Sequence, residues 1–213
     1  MYHPLVKVIQ GLAKPNRLFY SRSIDKIAIN PQKIYQRWEK EIPEINQLDW
    51  ADIFTITKQL TKDTKLQMFQ YQILHNILVT NSKLVYYKIK TSNLCTFCNE
   101  SKETIIHLFF ECKKTKLLFI DLMKWLGDVC GMKIPFLKSN LLVGLFPVQD
   151  NLLQNLFILY FKRYVYLTRC NNKNLNIISL KEFIKHNIYI EKVSNIDKWM
   201  KKWNTVGTNV LQS

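Results

Sequence analysis

Residues 95–112 read CTFCNESKETIIHLFFEC. Cys95 and Cys98 are separated by two residues, so one tight turn can direct both sulfurs at a single point. His107 follows after eight residues, and Cys112 after four more. Three thiolates and one imidazole complete the tetrahedral shell that zinc prefers. The spacing therefore predicts a metal site with the ligands Cys95, Cys98, His107 and Cys112. Ordinary buried thiols beside a surface histidine are the alternative.

A complete set of protein ligands leaves no coordination position for water, so the predicted Zn²⁺ is structural and not catalytic. Residues 104–110 are apolar apart from Thr104 and His107, which predicts a helical turn that directs His107 to the metal. Zinc-finger peptides gain roughly 10–16 kcal/mol from their metal, so we expect the site and the local fold to form together. The predicted fold class is mainly α, a helical domain organised around a CCHC zinc knuckle.

Apolar residues at helical spacing predict helices on both sides of the knuckle. Asp49 is the predicted N-cap of a helix that begins at Trp50. Asp63 or Thr64 is the predicted cap of a second helix that ends at Leu78. The low glycine and proline counts, 5 and 6, also favour helices over a β-sandwich with many turns.

Three further helices are predicted after the knuckle. Two of them cover residues 113–129 and 151–170, and the charged pair Lys162-Arg163 makes the second a core helix and not a membrane span. Ser179 and Glu182 have the spacing of a capping box, which predicts a helix from Leu180 towards Trp203 with a frayed tail after residue 204.

The chain divides, on this pattern, into three regions. Residues 1–48 are predicted to be an irregular basic arm and a short helix, with basic and aromatic side chains mixed at Lys14, Arg17, Phe19, Tyr20 and Arg22. Residues 49–130 hold the helices and the knuckle at 95–112. Residues 131–213 form a C-terminal basic helical region.

The segment from Phe69 to Trp125 resembles the zinc-binding region downstream of the reverse transcriptase in LINE-type (non-LTR) retrotransposon proteins. The shared pattern runs in order through Leu74-His75-Asn76-Ile77-Leu78, Thr80-Asn81, Cys95-Thr96-Phe97-Cys98, Glu103-Thr104 and His107-Leu108-Phe109-Phe110-Glu111-Cys112, and ends in a helix with Trp125. In that family the polymerase and endonuclease centres lie in separate upstream domains. The resemblance implies a segment that binds template RNA and nicked target DNA and positions them for target-primed reverse transcription.

Charge is the second indication of a polyanionic partner. The chain has 31 lysines and arginines against 16 acidic residues, a net charge of +15. Residues 151–213 hold ten basic and three acidic residues. Nucleic acid is the usual partner of such a chain, although solubility and a lysine-rich composition are the alternative. The basic residues predicted to contact nucleic acid lie after the knuckle and on the last helices: Lys113, Lys114, Lys116, Lys162, Arg163, Arg169, Lys181 and Lys185.

Five cysteines and a start without secretory features predict a reducing compartment, so we expect an intracellular protein, nuclear or cytoplasmic, with no disulfide framework. No paired-aspartate motif, HExxH, GxSxG or phosphate-binding glycine loop is present, so the chain is not expected to be an enzyme; its parent would be an RNA-directed DNA polymerase.

Two functions follow from this pattern. The first is a zinc-stabilised module that binds RNA or DNA and has no membrane or small-molecule partner. The second is a scaffold packed on a polymerase domain of the same or a related protein. A decayed fragment without a role of its own stays open as a third possibility.

Overall fold

Helices form nearly all of the regular structure in residues 31–213, the part of the chain that this computed structural model describes. The chain divides into two units, Met1–Pro43 and Glu44–Ser213. The first unit contains α1 (Pro31–Glu41), and a 3₁₀ turn spans Pro43–Gln47. The predicted basic and aromatic arm at residues 14–22 lies outside the described residues.

The second unit is built from helices joined by loops. They are α2 (Trp50–Leu60), α3 (Thr64–Leu74), α4 (Asn81–Tyr86), a π-helical turn (His107–Glu111), α5 (Lys113–Cys130), α6 (Lys138–Leu142), α7 (Leu152–Cys170), α8 (Ile177–Ser194) and α9 (Ile196–Gln212). Within residues 31–213 there is no β-strand, and one isolated antiparallel bridge joins Leu94 to Lys102. The prediction of a mainly α fold is confirmed.

Two aspartates start the helices that precede the metal ligands. Asp49 accepts a hydrogen bond from the backbone N–H of Ala51 at 2.7 Å, and Asp63 accepts one from Lys65 at 2.7 Å. Asp49 is the predicted N-cap, and Asp63 is one of the two candidates, Asp63 and Thr64, that the sequence offers for the second helix. A carboxylate satisfies an N–H group that the first helical turn leaves without a partner. The second helix ends at Leu74 and not at Leu78, since Asn76 adopts a left-handed φ of +52°.

The last two helices differ from the prediction. Asn176 caps α8 and accepts a hydrogen bond from the backbone N–H of Ile178 at 2.7 Å, so the predicted capping box of Ser179 and Glu182 is wrong. Asn195 ends α8 and caps α9. After a kink at Asn204, where φ is +45°, the chain is helical to Gln212 and not frayed, and the side chain of Val210 is buried there.

Helices from both sides of residue 131 share one core in the second unit. Phe119 of α5 meets Phe161 of α7 edge to face, with ring centroids 5.2 Å apart, and Phe157 of α7 meets Trp203 of α9 at 5.8 Å. The predicted region boundary at residue 131 therefore lies inside a single packed unit. None of the described helices is long and apolar enough to cross a membrane.

Candidate metal centre

The first two predicted ligands sit in a closed turn. The backbone N–H of Asn99 donates to the carbonyl of Cys95 at 2.9 Å, and Asn99 adopts a left-handed φ of +55° that lets the chain reverse. The N–H of Cys95 donates to Ser101 at 2.8 Å, which fastens the two ends of the loop together. This geometry places Cys95 and Cys98 side by side, as their spacing predicts.

The other two ligands are brought together by the π-helical turn. The N–H of Cys112 donates to the carbonyl of His107 at 2.8 Å, five residues back. In a regular α-helix, residues five apart point about 140° away from each other. The wider turn moves them towards one side, and such turns are often found at functional sites. The sequence predicts a helical turn here, but not that the turn is π-helical.

The four ligand atoms meet in a cluster, which we call the Cys₃His cluster. The sulfurs of Cys95 and Cys112 are 3.8 Å apart, and Nε2 of His107 is 3.4 Å from the sulfur of Cys98. A tetrahedral zinc with bonds of about 2.3 Å to sulfur and 2.0–2.1 Å to nitrogen separates two sulfurs by about 3.8 Å and a sulfur from a nitrogen by about 3.5 Å. Both separations fit a bound zinc.

All four atoms lie within 4.8 Å of one another. The longest separation therefore contracts by about 1 Å around a metal, which small side-chain rotations supply. Because an S–S bond is about 2.05 Å long, the 3.8 Å between Cys95 and Cys112 is not a disulfide. The cluster can hold a metal ion, and four protein ligands close its coordination shell.

Electrostatics around the cluster favour thiolate ligands. The pKa of Cys112 is lowered to about 4, first by the hydrogen bond from the Cys95 thiol and then by the backbone N–H groups of Thr115 and Lys114 in the first turn of α5. The same hydrogen bond, followed by burial, raises the pKa of Cys95. A helix N-terminus stabilises a thiolate because its N–H groups point at the negative charge. A metal would displace the proton that the two sulfurs share.

His107 is oriented by a carboxylate on the next turn. Its Nδ1 lies 3.8 Å from Oε2 of Glu111, within ion-pair range although longer than a hydrogen bond. The ring is buried, and its Nε2 faces Cys98. Carboxylates beside the distal nitrogen of a histidine ligand commonly fix the ring orientation in metal sites.

A buried acid, Glu103, ties the loop of the cluster to the rest of the unit. Its Oε2 accepts hydrogen bonds from the N–H and the hydroxyl of Thr96, each at 2.9 Å. Its Oε1 accepts from the N–H of Asn81 at 2.8 Å and from Nε of Arg169 at 2.7 Å. The carboxylate is fully buried, and four donors satisfy it. Glu103 therefore holds the cysteine turn, the start of α4 and the end of α7 in one arrangement.

Asn81 completes this network. Its side chain donates to the carbonyl of Leu94 at 2.7 Å, directly before Cys95, and accepts from Arg169 at 2.9 Å. Sequence reasoning missed the role of all three residues. Asn81 and Glu103 belong to the sequence pattern shared with the LINE-type zinc-binding region, and that pattern is the signal by which they could have been found. Nothing in the sequence connects either residue to Arg169.

Comparison with known proteins agrees with this geometry. Residues 32–118 match the zf-RVT family model, zinc-binding in reverse transcriptase. Residues 32–118 are therefore similar to a zinc-binding region that is associated with reverse transcriptase. The matched region contains all four members of the Cys₃His cluster and Glu103, but it ends before Arg169. No curated protein and no solved structure matches the chain.

Two of the cations predicted to contact nucleic acid are buried, so the prediction is corrected for these two residues. Lys162 is 2% exposed and donates to Oε1 of Gln70 at 2.6 Å. Arg169 is 7% exposed and is paired with Glu103. Neither side chain can reach a phosphate in this structure. Both lie on α7, which contributes to the core of the second unit.

The three lysines at the start of α5 are exposed and follow Cys112, the last member of the Cys₃His cluster. Lys113 pairs with the exposed carboxylate of Glu100, Lys114 is exposed, and Nζ of Lys116 lies 5.7 Å from the ring centroid of Phe136. Exposed pairs are weak, so a phosphate can compete with Glu100 for Lys113.

The remaining predicted cations are half-buried and lie further along the chain. The guanidinium carbon of Arg163 is 5.2 Å from the Phe69 ring centroid, and Nζ of Lys181 is 5.3 Å from that of Trp125. Lys185 pairs with Glu182 at 3.9 Å. The eight predicted cations therefore do not form one surface, and those on α5 are the most available.

Proposed function

We propose that this chain is a zinc-stabilised nucleic-acid-binding module, similar to the post-polymerase C-terminal segment of a LINE-type reverse transcriptase. In this role the metal is structural, and the chain binds template RNA and target DNA and positions them for a polymerase. It makes and breaks no covalent bond itself. The observation that carries the proposal is a closed Cys₃His cluster, inside a reverse-transcriptase-associated region, with exposed lysines directly after its last ligand.

The position of these lysines supports phosphate binding. They occupy the first turn of α5, which begins at Lys113 directly after Cys112. Clustered, exposed cations favour the binding of anions. The net charge of +15 adds a long-range attraction for a polyanion, which salt screens.

A binding titration across salt concentrations tests the proposal. The logarithm of the affinity is expected to fall linearly with the logarithm of the salt concentration, by about 0.7–0.9 per phosphate contact. Replacing Lys113, Lys114 and Lys116 together by Gln should reduce this slope by about 2–3 if each lysine makes one contact. Absence of binding to both RNA and DNA at low salt would contradict the proposal.

A matched control separates local contacts from net charge. Lys58, Lys62 and Lys65 are exposed lysines on α2, α3 and the loop between them. Replacing these three by Gln makes the same change in net charge but leaves the α5 lysines in place. The salt slope of this variant should therefore stay close to that of the unmodified protein. Equal slopes in the two triple variants would mean that the α5 lysines make no specific phosphate contacts.

A scaffold function is the second candidate, and one surface favours it. Four large apolar side chains flank the junction of α8 and α9, and each is more than half exposed: Tyr189, Val193, Ile196 and Met200. A surface of this kind suits docking on another protein domain. Under this alternative, changing these four residues to Ser would abolish association with a polymerase domain, and the chain would bind no nucleic acid.

A further inference from the structure

Three large side chains at the end of α4 are strongly exposed. Tyr86 is 80% exposed, Tyr87 60% and Ile89 68%, and every residue from 86 to 92 is exposed. We call residues 86–90, with the sequence YYKIK, the α4 tip. Two adjacent exposed aromatic rings form a candidate binding surface, because large apolar faces gain from contact with a partner.

The backbone of the α4 tip is fixed by hydrogen bonds. The N–H of Ile89 donates to the carbonyl of Leu84 at 2.8 Å, and the N–H of Lys88 donates to that of Val85 at 2.9 Å. This pair of bonds is the Schellman motif that ends many helices. It presents the two tyrosines on an ordered turn, so little conformational entropy is lost when a partner binds them.

Lys88 occupies the one position of this motif where glycine is usual. Its φ is +59°, a left-handed conformation that glycine adopts at lower cost. The chain therefore places a cation next to the tyrosine pair at the expense of a favourable cap. Lys90 stands two residues further on and donates to Oδ1 of Asn81 at 3.0 Å.

The α4 tip lies in a stretch of sequence that carries positive charge only. From residue 64 to residue 99 the sequence contains four lysines and no acidic residue. A basic and aromatic segment is complementary to a chain that has both phosphates and bases. An apolar protein surface would cover the rings but would leave the positive charges of Lys88 and Lys90 without an anion, since the partner of Lys90 is the neutral amide oxygen of Asn81.

We propose that the α4 tip binds single-stranded nucleic acid, with bases stacked on Tyr86 and Tyr87 and phosphates contacting Lys88 and Lys90. The two rings are 5.3 Å apart between centroids and 71° from parallel, so each offers its outer face to a different base. A duplex has no free base faces for such stacking, whereas a single strand does. This inference rests on the proposed nucleic-acid binding and specifies where single strands are held.

The test compares three labelled probes by fluorescence anisotropy at several salt concentrations: a single-stranded RNA of twelve nucleotides, a single-stranded DNA of the same length with abasic sites, and a duplex. Replacing both tyrosines by Leu keeps apolar side chains but removes the aromatic faces. This variant should bind the single-stranded RNA about tenfold more weakly or worse. Its affinities for the abasic strand and the duplex should change less than twofold.

Two further variants control for folding and charge. Replacing both tyrosines by Phe keeps the rings and should bind the single strand as the unmodified protein does. Lys88→Gly favours the left-handed backbone and should not impair folding, but it should reduce the salt slope for single strands by about 0.7.

The outcomes distinguish this inference from the proposed function. If the unmodified protein binds strands and duplex but the Leu variant binds the single strand equally well, the inference is wrong and the proposed function stands. The α4 tip would then be a docking surface for an apolar protein partner. If the unmodified protein binds none of the probes at low salt, both proposals fail together.

Discussion

Replacing Glu103 by Gln probes how the cluster is held in the fold. The substitution keeps the size of the side chain but turns one oxygen into an NH₂ group. If that group takes the place of Oε1, it faces the N–H of Asn81 and Nε of Arg169; if it takes the place of Oε2, it faces the N–H of Thr96. In either orientation a donor meets a donor, and a buried backbone N–H loses its acceptor.

The expected cost follows from burial. The Glu103 and Arg169 side chains are 0% and 6% exposed, so removing the negative charge leaves a guanidinium without its counter-charge in the interior. Breaking a buried pair by removing one partner costs about 3–5 kcal/mol. That is a large share of the roughly 5–15 kcal/mol that stabilises a typical domain. Glu103→Gln should cost more than Arg169→Met, because the carboxylate also serves two backbone N–H groups.

Urea unfolding of the zinc-loaded protein measures this cost. With a slope of about 2 kcal/mol per molar urea, the midpoint should fall by about 2 M in Glu103→Gln. Glu100→Gln is the matched control, since Glu100 is exposed and its midpoint should be nearly unchanged. A loss below about 1 kcal/mol in Glu103→Gln would refute the reasoning that this carboxylate holds the loop in place.

Three other substitutions have effects on stability whose sign follows from the structure. Burial lowers the pKa of Lys162 from 10.5 to about 7. Between these two pH values the unfolded chain holds a proton that the folded chain has released, so the free energy of unfolding rises with pH, by up to about 4–5 kcal/mol. Lys162→Met should remove this rise, and parallel pH–stability curves for the two proteins would contradict the prediction. A Cβ atom on Gly207 would lie 2.6 Å from the Trp199 ring, so Gly207→Ala should cost about 1–3 kcal/mol. Gly127→Ala, with its nearest atom at 3.9 Å, should instead stabilise α5 by up to about 1 kcal/mol in thermal unfolding.

The features that depend on a few neighbouring residues could be predicted from the sequence. The cap at Asp49, and Asp63 as one of two candidates, could be predicted because a capping carboxylate acts within one helical turn. The prediction failed at the last helices, where Ser179 and Glu182 matched a capping pattern but Asn176 and Asn195 form the caps. Local signals of similar strength compete there, and tertiary packing decides between them.

The residues of the site likewise divide into those that local spacing predicts and those that only tertiary contacts reveal. The four cluster residues lie within eighteen positions of one another, so their spacing alone indicates a common centre. The contact of Arg169 with Glu103 joins residues 66 positions apart. Lys162 and Arg169 were predicted to contact nucleic acid because residues 151–213 carry much of the net positive charge. Lysine and arginine are rarely buried. Only the packed structure reveals the acceptors that make their burial possible.

The metal content of the purified protein tests the central claim most directly. The account predicts one zinc per chain in the unmodified protein and in Cys130→Ser, because Cys130 lies outside the cluster. Cys95→Ser and Cys112→Ser should each lose that zinc. A folded chain that contains no zinc, or a full zinc complement that survives both substitutions in the cluster, would contradict the account.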